Sequence, residues 1–170
     1  MGMSIYLFPG FPEDARLWVI ALDPAGGEPP STLLAQGLEE ILGQWRHKGH
    51  AYEAAWEVLE DGLILVVEPR MATDPSGCAI DGMLRKVQRL TASLGRPVLG
   101  EDRVLVRLAD GLRAFDRAEL GDRLADGTLA ADTPVLDRAL HHLGQLREGQ
   151  LERPLAATWI GRKYRLPVQG

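Results

Sequence analysis

The sequence predicts an α+β protein built on a split βαβ (ferredoxin-like) two-layer sandwich, with an extra strand and C-terminal helices. Two observations support this fold class. Segments with helical or strand-like apolar spacing follow one another in the order strand, helix, strand, strand, helix, strand. An Asp61-Gly62 pair also lies between two strand-like runs, and such a pair is a strong signal for a hairpin.

The first strand and the first helix are predicted within the N-terminal quarter of the chain. Residues 1–14 form a loosely structured leader, since its two prolines interrupt regular structure. Residues 15–22 are apolar at nearly every position, which predicts a buried strand. A helix is expected to begin at an N-cap on Ser31 and to run to about Arg46, because leucines recur there at helical spacing.

The central hairpin and the second long helix follow. Residues 52–58 alternate between apolar and polar side chains, and residues 63–67 return as a continuous apolar strand. The second helix is predicted from Pro75 to Gly95, because proline suits a first helical turn and glycine suits a C-terminal cap.

The remaining chain is predicted to extend this core. A second hairpin over residues 104–115 completes a βαββαββ core at 15–115. Residues 116–170 are predicted to form a C-terminal helical extension. Its last helix opens near 132 and carries leucines at helical spacing, and a short strand is expected at 157–160.

One face of the predicted sheet carries the two helices, and the opposite face needs a cover. Trp18, Ile20 and residues 63–67 are too apolar to remain in contact with water. The C-terminal segment or a second subunit is therefore expected to lie over that face.

Composition limits the classes of function. A chain of 170 residues predicts one domain, 1–170. The formal net charge of −5 disfavours nucleic acid and anionic membranes as partners. No apolar stretch reaches the ~18–20 residues that span a bilayer, and no signal peptide is recognised. A single cysteine excludes an internal disulfide and a cysteine-rich zinc site, so we expect a cytoplasmic protein with no cofactor.

The segment from Ser76 to Asp81 is the strongest candidate site. It places the only cysteine where a loop turns into the second helix. Backbone N–H groups at a helix start favour a bound anion and can activate a thiol. The catalytic candidates are Cys78 and Asp81, and the ligand-binding candidates are Ser76, Gly77, Trp45 and His47.

Each of these residues also has an ordinary structural interpretation. Cys78 can be a small buried apolar residue, since free cysteines are commonly buried. Asp81 can stabilise the helix dipole or pair with Arg85 one turn later. The cations around His47 suit the C-terminal end of the first helix, where Gly49 can supply the cap.

Histidine chemistry depends on the arrangement of the two helices. His47 or His50 can act as a base for Cys78 only if the first helix ends where the second begins. His141 and His142 are predicted as a surface pair on the last helix, because adjacent helical positions diverge by about 100° and cannot easily hold one metal ion.

Three short matches along the chain resemble a known family. They are Trp45-x-x-x-Gly49, Ser76-Gly77-Cys78-Ala79-Ile80-Asp81, and Thr158-Trp159 preceded by Thr133-Pro134-Val135-Leu136. Together they resemble small bacterial proteins of unassigned activity that are often labelled "ABC transporter ATPase". This chain lacks the Walker A loop of such ATPases. Lys48 stands where the family pattern has histidine, and Ala79 and Thr158 stand where serine is common. The resemblance implies a family and no activity.

Two hypotheses about function follow. The first is binding of a small anionic ligand at the start of the second helix, with thiol chemistry at Cys78. The second is a non-catalytic homo-oligomeric or protein-interaction domain with a buried structural Cys78, in which the four tryptophans are core or interface anchors. The first hypothesis expects an exposed Cys78 in a concave pocket.

Overall fold

The computed structural model describes residues 7–28, 31–47, 50–51, 53–59, 62–69 and 76–168. Asp61, Gly49 and Pro75, which the sequence assigned to a turn, a cap and a helix start, lie outside these ranges. The elements are, in chain order, β1 (Arg16–Ala21), α1 (Ser31–Gly43), β2 (Arg46–His47), β3 (His50–Ala51), β4 (Ala55–Leu59), β5 (Leu63–Glu68), α2 (Gly77–Ser93), β6 (Arg103–Leu108), β7 (Gly111–Asp116), a 3₁₀ turn (Arg117–Glu119), α3 (Leu120–Ala125), β8 (Pro134–Leu136), α4 (Leu143–Arg147), β9 (Glu152–Pro154), a 3₁₀ turn (Leu155–Ala157) and α5 (Trp159–Lys163).

The first sheet is antiparallel and has the strand order β1-β5-β4. Its central strand, β5, is buried at all six positions, which explains why its sequence is a continuous apolar run. The predicted hairpin is confirmed as β4 and β5, with Leu59 opposite Leu63. Gly62 supplies the positive φ of +84° that the turn requires.

Both long helices pack on one face of the first sheet, as predicted. Leucines of α1 and Met83 and Val87 of α2 share a core cluster with Ile64 and Val66 of β5. The helices are antiparallel, since Gly37 lies against Leu90 while the chain just after α1 reaches the first turn of α2.

The first helix is shorter than predicted, because it ends at Gly43 rather than near Arg46. Arg46 and His47 instead pair with Ala51 and His50 in a two-stranded ribbon. The cations of this segment therefore follow the helix rather than complement its dipole.

The second hairpin is confirmed, although it does not extend the first sheet. β6 and β7 pair over residues 103–116 and belong to a separate antiparallel sheet of order β7-β6-β8-β9. After α2 the chain forms one isolated β-bridge, between Val98 and Leu22 at the end of β1, and then continues into β6. The structure is thus α+β with two main antiparallel sheets in its described part, compatible with layered packing.

The prediction of a helical extension over residues 116–170 is wrong for the central part of this segment. The expected last helix is replaced by strand β8, which pairs Val135 with Val106 and with Arg153. His141 and His142 precede the short helix α4 rather than lying within a longer one. The prediction of a strand at 157–160 is also wrong, because the helix α5 begins at Trp159.

The helix was mispredicted because the leucines at helical spacing do pack in one core. They reach that core from different elements rather than from one helix. Leu136, Leu140, Leu143 and Leu146 all pack against the face of the first sheet opposite the helices. The C-terminal segment is therefore the cover that this face needs, and the face itself gives no reason for a second subunit.

The described part of the leader, residues 7–14, has no helix or strand, in line with the prediction. It is nevertheless held in place. Phe8 is buried, and Arg147 donates a hydrogen bond of 2.7 Å to its carbonyl oxygen and pairs with Glu13.

Candidate functional site

The start of α2 is an exposed helix terminus. The N-cap Ser76 accepts a hydrogen bond of 3.1 Å from the backbone N–H of Ala79 through its hydroxyl oxygen. Gly77 and Cys78 follow as exposed residues, and a side chain at Gly77 would meet no atom within 4 Å. The buried structural cysteine of the second hypothesis is therefore wrong, because the Cys78 side chain faces solvent.

Trp45 supports this terminus from the core. Its indole N–H donates a hydrogen bond of 2.9 Å to the carbonyl oxygen of Ala79, and its ring packs edge-on against Trp18 at 5.4 Å. The ring is only 5 % exposed, so it serves packing rather than an open binding surface. This contact also brings the end of α1 to the start of α2, which is the arrangement that a histidine base for Cys78 requires.

The remaining two predicted residues are His47 and Asp81. His47 is in β2, two residues after Trp45, and pairs in register with His50. Asp81 is exposed, and the hydrogen bond that Arg85 donates to it, at 3.4 Å, goes to its backbone carbonyl oxygen rather than to its carboxylate. The helix start is thus an open surface made by the consecutive residues 76–81, and Trp45 is the predicted residue that another element brings to it.

A concave feature of the structure lies elsewhere. A cleft of about 1000 Å³ lies between the edge of β1, one side of α2 and the second sheet. Its walls are residues 17–21, Leu84, Gln88 and Ala92 of α2, the segments 97–101, 103–105 and 135–141, and Arg117, Arg153, Thr158 and Trp159. None of the six residues predicted as a site from the sequence lines this cleft.

The cleft is positively charged on a chain that is negative overall. Its lining includes four arginines and two carboxylates, whereas the whole chain has a formal net charge of −5. Two of the arginines are paired. Arg103 contacts Asp116 at 3.1 Å, and Arg153 contacts Asp137 at 3.2 Å. The net charge of the cleft therefore depends on Arg117 and Arg138 together with the carboxylate of Glu101, and it is positive.

Arg138 is held by backbone rather than by carboxylates. Its guanidinium donates hydrogen bonds of 3.2 Å to the carbonyl oxygens of Leu99 and Gly100, and it also bonds that of Arg103. Burial lowers the pKa of Arg138 from its ordinary value, and the neighbouring charge of Arg117 lowers it further, while Glu101 opposes the shift. Arginine remains protonated under such conditions, so the site keeps a full positive charge.

Arg117 lies over the ring of Trp159, with its guanidinium carbon 5.2 Å from the ring centroid. Such a cation–π contact orients the guanidinium without neutralising it. Within the described ranges no carboxylate lies at ion-pair distance from Arg117. Together Arg117 and Arg138 present positive charge beside apolar walls, an arrangement that suits an anionic ligand with an apolar part.

Sequence reasoning missed this site because its residues are dispersed. Arg117 and Arg138 are separated by 21 positions, and neither belongs to a motif. The recognisable signal was the third segment of the family resemblance, since its residues Val135, Leu136, Thr158 and Trp159 line the cleft.

No protein family, no curated protein and no solved structure matches this chain. The family resemblance of the sequence motifs therefore stays a prediction. In the ranges described, no group of three or more histidine, cysteine, aspartate or glutamate residues is placed to hold a metal ion. A search of the same residues found no helix with the length and apolarity that a membrane crossing needs.

Proposed function

We propose that the protein binds a small anionic ligand with an apolar part, in the cleft between β1 and the second sheet. The observation that carries the proposal is the guanidinium of Arg117, stacked on Trp159 and close to Arg138 at a cleft whose floor is apolar. The ligand class is the one expected from the sequence, while the place differs. Thiol chemistry at Cys78 stays a separate prediction.

The volume and lining of the cleft support binding of a small molecule. Sites for such ligands typically enclose about 300–1,000 Å³ and combine apolar walls with a few polar groups. Trp18, Leu84, Pro97 and Trp159 supply accessible apolar surface, and buried residues such as Leu17 and Leu105 lie behind it. An anion beside this surface is partly removed from water, so its attraction to the two guanidinium groups is stronger than on an open surface.

A fluorescent probe with the same two chemical features tests the proposal. Anilinonaphthalene sulfonate carries an aromatic apolar body and one negative charge. We expect Arg117→Gln to weaken its binding about tenfold, because a charge-assisted contact contributes about 1.5 kcal/mol or more. The measurement is a fluorescence titration at physiological salt.

Two controls make this titration specific. Arg162→Gln removes one exposed arginine charge from α5 outside the cleft and is expected to change the affinity less than about twofold. The neutral dye Nile red should bind the Arg117→Gln variant as it binds the unaltered protein. Equal effects of both substitutions on the sulfonate dye would contradict an anion site at Arg117.

We also propose that the first half of the chain is a shortened split βαβ unit of the ferredoxin-like type. The order β1-β5-β4 with both helices on one face supports it, as does the bridge from Leu22 to Val98, where a fourth strand would pair with β1. A cytoplasmic location is the accompanying proposal, supported by the single cysteine.

A further inference from the structure

Two charged side chains of the cleft, Arg117 and Glu101, have no ion-pair partner among the described residues. Both are exposed, and both line the cleft. The other arginines of the lining are engaged, since Arg103 and Arg153 contact carboxylates and Arg138 donates to three carbonyl oxygens. The cleft therefore offers a ligand one cation and one anion whose charged ends are not held by another charged side chain of the described structure.

The two side chains come from the same end of the β6–β7 hairpin. Arg103 begins β6 and pairs with Asp116, the last residue of β7. Glu101 lies two residues before this pair along the chain, and Arg117 directly follows it. Paired residues are separated by ~5 Å and consecutive Cα atoms by ~3.8 Å, so the Cα atoms of Glu101 and Arg117 are at most about 17 Å apart. Both side chains can therefore reach one small ligand.

Both charges also act on one neighbouring group, the guanidinium of Arg138. Burial lowers the pKa of Arg138, the charge of Glu101 raises it, and the charge of Arg117 lowers it. Although they have opposite signs, Glu101 and Arg117 form no ion pair with each other in the described structure. A ligand can lie between them. A ligand with a negative charge alone would be attracted by Arg117 and repelled by Glu101.

We propose, resting on the anion site proposed above, that the ligand is an α-amino acid with an apolar side chain. Its carboxylate pairs with Arg117, and its ammonium group pairs with Glu101. An α-amino acid carries both charged groups on one carbon atom, so one end of the ligand meets both charges of the protein. Its side chain then lies on the accessible apolar walls, which include Trp159 beside Arg117 and Pro97 shortly before Glu101.

Three compounds with the same phenyl ring test this inference in the unaltered protein. L-Phenylalanine carries both charges, 3-phenylpropanoate lacks the ammonium group, and 2-phenylethylamine lacks the carboxylate. We expect phenylalanine to bind about fivefold more tightly than either of the others, because each of them loses one ion pair at an exposed site. The affinities are measured by chemical-shift titration of the backbone amides of Glu101 and Arg117.

A substitution of Glu101 separates the ammonium contact from the anion site. We expect Glu101→Gln to weaken phenylalanine binding about fivefold. Binding of 3-phenylpropanoate should stay the same or become tighter, because the variant loses a carboxylate that repels the anion. The matched control is Asp102→Asn, which removes an exposed charge from the same turn outside the cleft lining and should change either affinity less than about twofold.

Three results would overturn the inference. They are equal affinities for phenylalanine and 3-phenylpropanoate, equal effects of Glu101→Gln and Asp102→Asn on phenylalanine binding, and no binding of phenylalanine at millimolar concentration. If 3-phenylpropanoate and the sulfonate dye still depend on Arg117 in that case, the anion site stands without an ammonium contact. If neither compound depends on Arg117, both proposals fail.

Discussion

The start of α2 and the cleft both favour anions, and they differ in how they are built. The start of α2 is made from six consecutive residues, Ser76 to Asp81, and its surface is open. The cleft is made from residues between Leu17 and Trp159, and it lies between a strand, a helix and a second sheet. A local motif can therefore be recognised in a sequence, whereas a cleft of this kind arises only when distant segments pack together.

The two regions also differ in the strength of their electrostatic attraction. A helix N-terminus is equivalent to about half a unit of positive charge, and solvent screens it when the terminus is exposed. Arg117 is exposed as well, whereas Arg138 is half-buried, and each carries a full charge beside apolar walls. Because attraction between charges grows as the surroundings become less polar, the cleft is expected to be the stronger anion site.

A pair of glycine substitutions gives the largest expected difference between the two regions. A Cβ at Gly161 in α5 would lie closer than 3.0 Å to the backbone of Ala156, so the segment carrying Trp159 must move. We expect Gly161→Ala to lower the free energy of unfolding by about 3 kcal/mol and to weaken dye binding. Urea denaturation measures the first effect and the fluorescence titration the second.

The matched control is Gly77→Ala at the start of α2, where a Cβ meets no atom within 4 Å. This change is expected to leave stability unchanged or to raise it by up to about 1 kcal/mol, because alanine restricts the unfolded chain. Equal stability of the two variants would mean that α5 does not pack as closely as the structure has it.

Alkylation of Cys78 gives the smallest expected effect. Because the side chain is exposed, iodoacetamide should label it in the native protein at a rate within about tenfold of that in the unfolded chain. The labelled protein should bind the sulfonate dye as before, since Cys78 does not line the cleft. Labelling that requires unfolding, or that abolishes dye binding, would show that the two regions are not separate.

The elements that the sequence predicted well are those whose pattern is local. The hairpin of β4 and β5 was predicted from its alternation and its D-G turn, and the helix α2 from its apolar spacing and from the glycine that follows its end. The last helix was mispredicted because leucines at helical spacing also satisfy a core reached by a strand, a loop and a short helix. Val135 pairs with Val106, and that pairing outweighs the local preference.

The candidate site could be predicted only in part. The exposure of Cys78 agrees with the first hypothesis, whereas the concave pocket described above is not lined by Cys78, and the anionic ligand stays a prediction. The location could not be deduced, because the contact of Arg117 with Trp159 joins residues 42 positions apart. Nothing in the spacing of the arginines distinguishes Arg117 from those that form ion pairs.

The most direct test of the central claim uses two tryptophans as reporters. The side chain of Trp159 is exposed and the residue lines the cleft, whereas the indole N–H of Trp45 donates to Ala79 at the start of α2. A ¹H–¹⁵N spectrum resolves indole signals, which Trp159→Phe and Trp45→Phe would assign. On titration with anilinonaphthalene sulfonate, we expect the Trp159 signal to shift and the Trp45 signal to remain. A shift of Trp45 together with the amide of Cys78, with Trp159 unchanged, would place the anion at the helix start and contradict the account.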